Sequence, residues 1–73
     1  MTALEFEYAC TTAAEQSKTT HEPVYVFTEN GQACTGIRED VLDAQDFTCV
    51  STYRVYKAGS LKWQRDNEPT FTE

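Results

Sequence analysis

Three cysteines, a single histidine and a run of four carboxylates are the side chains among these 73 residues with the means to do chemistry. Cys10, Cys34 and Cys49 stand 24 and 15 positions apart, and no two share the two-residue spacing that lets a pair of thiolates grip one metal ion. An odd number also writes no disulfide framework, so all three read as small buried thiols behaving as compact hydrophobes. His21, beside Pro23 at a junction between elements, reads as a solvated loop histidine. General acid–base work would then rest on Glu39, Asp40, Asp43 and Asp46 alone. Grouped around Val41, Leu42 and Ala44, these acids read as a solvated turn, without the alternating oxygen spacing of a calcium loop. Gly31, Gly36 and Gly59 never assemble a phosphate cradle. The chain therefore reads as a non-enzyme, with no catalytic residue, cofactor or metal.

Charge is more informative than reactivity. Arg54, Lys57, Lys62 and Arg65 lie in an acid-free stretch from Ser51 to Arg65, interleaved with Tyr53, Tyr56 and Trp63. Residues 1–50 carry nine acids against two bases, residues 66–73 add three more acids, and the formal total is −6. Aromatics among cations suit single-stranded nucleic acid, yet four cations face twelve acids, and the field of the whole domain repels a polyanion. Nucleic acid is thus the lesser expectation. The carboxylates, Glu5, Glu7 and Glu15 early in the chain, Glu22 and Glu29 at strand ends and the 39–46 cluster, point instead to a protein partner with a basic surface.

The elements that position these groups follow from pattern. Thr2 followed by Glu5 is a capping box, and Met1 with Phe6 forms a hydrophobic staple, so a helix is expected from Ala3 to Lys18. On its wheel Ala3, Phe6, Ala9, Cys10, Ala13, Ala14 and Ser17 make one stripe of mostly small side chains, able to lie close on a sheet. Leu4 and Tyr8 fall on the opposite flank as an exposed pair. A competing reading takes the alternation Leu4, Phe6, Tyr8 as a strand and lets Thr12 and Glu15 cap a shorter helix. Both stay open from the sequence.

Val24 to Thr28, Asn30-Gly31, then Ala33 to Ile37 is a hairpin with a two-residue turn. Apolar groups on both of its faces place it inside the sheet or under cover on both sides. Arg38 to Asp46 reads as a connector with one helical turn pinned by Val41 and Leu42. Phe47 to Lys57 alternates, with Phe47, Cys49, Tyr53 and Val55 on one face. For the return through Leu61 and Trp63, a two-residue loop at Ala58-Gly59 scatters apolar groups over both faces. A three-residue loop through Ser60 puts Tyr53, Val55, Leu61 and Trp63 on the core and Arg54, Tyr56, Lys62 and Gln64 outside, and is preferred on that ground. Residues 66–73 read as a flexible acidic tail.

The expected architecture is α+β: one domain over residues 1–65, an N-terminal helix packed on a small antiparallel sheet of about four strands in two hairpins. No stretch approaches the ~20 apolar residues of a membrane span, and no secretory signal is seen, so the expected location is the cytosol. A domain this small leaves little room for an enclosed substrate cavity. In size, acidity and helix-then-strands order, without a catalytic set, the chain resembles small phage-encoded accessory proteins, anti-CRISPR inhibitors in particular, across its whole length and through no motif. That resemblance implies a stoichiometric inhibitor of a host defence complex. Expected partner-binding residues are Glu5, Glu7, Tyr8, Asp40, Asp43, Arg54, Tyr56 and Lys62, on a monomer or homodimer. A nucleic-acid module using the basic hairpin, or an oligomeric structural component burying Leu4 and Tyr8, are the alternatives.

Overall fold

The computed structural model describes residues 2–68. Helix α1 spans Ala3–Thr20, strands β1 and β2 span Val24–Glu29 and Gln32–Gly36, helix α2 spans Arg38–Gln45, and strands β3 and β4 span Val50–Lys57 and Ser60–Gln64. The strands form one antiparallel sheet in the order β2-β1-β3-β4. This is the expected α+β arrangement, with a second helix added.

α1 starts where the capping box predicts. Thr2 is extended, and its hydroxyl accepts a hydrogen bond from the Glu5 amide at 3.2 Å, satisfying one of the unpaired donors at the helix start. The helix is continuous through residues 3–9, so the strand reading of that segment gives way. It ends at His21, whose φ of 60° closes the last turn in the left-handed region. Met1, the other half of the expected staple, lies outside the described residues.

The predicted stripe is the buried one. Phe6, Ala9, Cys10 and Ala13 form the core with Val24 and Val26 of β1, and Ala33, Tyr53 and Tyr56 pack against it. Small side chains on α1 bring the helix close enough for a second link. Ser17 is fully buried, and its hydroxyl donates to the Ala14 carbonyl at 2.8 Å and accepts from the Gly59 amide at 2.9 Å. The end of α1 is thereby tied to the β3–β4 turn.

β1 is covered by α1 on one face and in part by α2 on the other. Val24 and Val26 meet α1, while Phe27 faces the α2 side, where Val41 is the buried residue of the helix. The Asn30-Gly31 turn has φ of 49° and 85°, the pair of positive values a two-residue hairpin demands. The Asn30 side chain also accepts from the Cys49 amide at 3.2 Å, pinning the turn to the start of β3.

Several sequence expectations are corrected. The connector is not one turn but an eight-residue helix, whose Asp40 accepts from the Ile37 amide at 2.9 Å. Phe47 does not belong to β3: the Phe47 and Thr48 amides both donate to the Ala44 carbonyl, continuing the end of α2 and leaving Phe47 87% exposed. Finally, the β3–β4 loop is two residues, not three. Lys57 pairs with Ser60 and Tyr56 with Leu61 across Ala58-Gly59, but a bulge at Lys62 then restores Val55 opposite Trp63 and Arg54 opposite Gln64. One extra residue sends Leu61 and Trp63 to opposite faces. Arg54 and Tyr56 pair with Val26 and Val24, so they point toward α1 and not outward.

Candidate protein-docking surfaces

Depressions on the described surface are open to solvent, one of them about 460 Å³. Two of them flank one sheet edge. On one side of β2, Glu5, Tyr8, Ala9 and Thr12 of α1 meet Ala33, Cys34 and Thr35. On the other, Asp40, Asp43 and Ala44 of α2, with Phe47, meet Phe27, Glu29, Cys34 and Thr35 around about 440 Å³. Cys34 and Thr35 belong to both. The outer edge strand therefore runs between an exposed tyrosine (75%) and an exposed phenylalanine (87%), with carboxylates on either hand.

Local chemistry explains why each group stands there. Leu4 and Tyr8, four apart on a helix whose opposite stripe is committed to the core, have nowhere to be buried. Glu5 receives the Thr2 hydroxyl at 3.3 Å. Asp40 is occupied by its cap at α2 and is packed so closely on Gly36 that a Cβ there would lie 2.6 Å from its Oδ2. Glu29 takes the Cys34 thiol at 3.4 Å and the Thr48 hydroxyl at 3.4 Å. Burial first, then this carboxylate, push the Cys34 thiol above the usual 9.0.

A second cluster lies under the amino-terminal half of α1. Arg54 forms a two-pronged ion pair with Glu68, Nε to Oε2 at 3.0 Å and Nη2 to Oε1 at 2.9 Å. Its Nη1 reaches the Tyr56 hydroxyl at 3.4 Å and Cys10 Sγ at 3.7 Å, and its guanidinium stands 5.0 Å over the Phe6 ring. The Glu68 bonds hold the Arg54 charge more firmly than usual. Burial raises the Cys10 thiol above 9.0 and lifts the Tyr56 hydroxyl, against the pull of Arg54 on both. Glu68 was expected in a loose tail. Here it is anchored, and the rest of that tail, residues 69–73, lies outside the described residues.

The predicted partner-binding residues thus divide. Glu5, Tyr8, Asp40 and Asp43 gather around β2. Glu7 lines the depression beside Arg54. Arg54 and Tyr56 are half-buried against α1, and Lys62 sits on the far face in a groove with Pro23, Tyr25, Thr52, Val55 and Trp63. Alternation puts Phe47 on the face of Tyr53 and Val55, and the three-residue loop puts Leu61 and Trp63 on the core; all three are exposed instead. The signal for Phe47 was present in the helix-forming Asp43-Ala44-Gln45 before it, and that for Trp63 needed the bulge. Among the described residues no group of three or more His, Cys, Asp or Glu is placed to hold a metal ion, and no helix is long and apolar enough to cross a membrane.

Compared with known proteins, the chain matches no family model, no curated protein and no solved structure.

Proposed function

We propose that this chain is a non-enzymatic protein-binding module that docks the surface around β2 onto a basic face of another protein. One observation carries the reading: Tyr8 and Phe47, large and exposed, stand on the two sides of one edge strand with Glu5, Asp40 and Asp43 about them. Exposed aromatics supply the anchors of such contacts. Carboxylates around them steer a cationic partner and set the register. In its sharpest form the module is a phage-type inhibitor, acting in the host cytosol, whose acids stand in for phosphates and block a nucleic-acid-binding or docking surface of a defence complex. The pairing of Arg54 with Glu68 removes one of four cations from the basic hairpin, which further disfavours the nucleic-acid reading.

The test is co-purification of the partner with wild type, Tyr8→Ala, Asp43→Lys and Lys62→Glu. Loss of the partner by the first two at more than tenfold, with Lys62→Glu unaffected and wild-type binding weakening as salt rises, is the expected pattern. Equal capture by all four overturns the assignment of the surface. A gel shift at low salt should show no retention of single-stranded DNA.

A further inference from the structure

The Arg54 guanidinium is held from several sides by groups other than its carboxylate partner. Phe6 lies beneath its plane, and Tyr56 and Cys10 take the Nη1 corner. The remaining edge, Nε and Nη2, is a pair of parallel donors matched to a planar carboxylate, and it is this edge that meets Glu68. The fork is aimed by contacts that do not involve Glu68. The carboxylate itself arrives on a short lead: the Arg65 amide still donates to the Tyr53 carbonyl at 2.9 Å, after which Asp66 and Asn67 make an exposed turn. Together Arg54 and Glu68 wall an open pocket of about 430 Å³, whose other sides include Ala3, Phe6, Glu7 and Thr11.

We propose that the Arg54 fork is a carboxylate-binding site, filled in cis by Glu68 and open to a carboxylate supplied in trans when Glu68 leaves. Two parallel N–H groups donate to the two oxygens of one planar carboxylate. Glu7 at the pocket repels further negative charge, which favours a monoanionic carboxylate over a phosphate dianion. The tether gives Glu68 an effective concentration on the order of millimolar, so dilute free carboxylate does not displace it. The pocket lies beside α1 and the 65–68 segment, away from the β2 edge, and its occupancy is independent of the docking reading.

Thermal unfolding in sodium acetate, against sodium chloride at matched ionic strength, tests this on Glu68→Ala and on Glu68→Gln, which retains the side-chain volume. Acetate should raise the Tm of Glu68→Ala saturably, by a few degrees for a domain of this size. Wild type should not respond over the same range, nor should a chain carrying both Arg54→Met and Glu68→Ala. The Nε–H resonance of Arg54 should move with acetate in the single variants. Phosphate should act more weakly. If neither single variant responds to acetate by either measurement, the pair is a structural ion pair only and the proposal fails. An equal response to phosphate overturns the carboxylate assignment.

Discussion

Ser17 shows how one small polar side chain can decide a packing distance. A serine hydroxyl among alanines lets α1 approach the sheet and still satisfies the Gly59 amide, 42 positions away. Ser17→Ala leaves that N–H without its acceptor at a buried contact and should cost about 1–3 kcal/mol, read as a lower urea midpoint with unchanged slope. The thiols are ordered by environment in the same way. Cys49 is exposed, whereas burial raises Cys10 and Cys34 above 9.0. Alkylation at neutral pH should therefore modify Cys49 first, by mass spectrometry, with the other two slower. The same shifts set the sign of an alkaline effect. The folded thiols keep their protons where unfolded thiols ionise, so their contribution is intact below pH 9 and lost as pH rises from there through the raised folded values. A denaturation series across that range should show falling stability, and replacing both with serine should flatten the fall.

At the level of elements, the two hairpins share a turn geometry but not its preferred residues. Asn30-Gly31 adopts positive φ with a side chain suited to it, while Ala58, at φ 53°, pays the steric cost of a Cβ in the left-handed region. Ala58→Asn should accordingly stabilise the domain by about 0.5–1 kcal/mol, measured by chemical denaturation. Gly59 must stay: its φ is 84°, and a Cβ would fall 2.7 Å from Lys18 Cγ. The first hairpin and α1 were legible because their signals are local, a cap, a 3.6-residue stripe and an Asn-Gly turn. The second hairpin was not. Its face assignment depends on the bulge at Lys62, and the pairing of β3 with β1 carries another at Tyr53, opposite the Val26 to Phe27 step. Each inserts one residue and reverses every side chain beyond it, and neither has a sequence signature in this chain. That is why Arg54 and Tyr56 were read as outward although they sit beneath α1. The acidic residues around β2 were recognised individually, but their convergence required knowing that β2 is an edge.

Across the whole molecule, the sheet is covered unevenly. α1 covers the face bearing Val24, Val26, Arg54 and Tyr56, whereas α2 covers the other face chiefly over β1, with smaller contacts to β2 and β3. Beyond it, Tyr25, Val55 and Trp63 line a groove open to solvent. Trp63 is the only tryptophan in the sequence and is 47% exposed, so the chain's red-edge emission comes from the side of the sheet away from α1 and at the opposite end of the strand order from β2. Fluorescence thus becomes a position-sensitive label. A partner seated at the β2 edge should leave the emission maximum where it is, whereas one covering the β4 groove should shift it to shorter wavelength, and a stopped-flow or equilibrium titration distinguishes the two without any added dye.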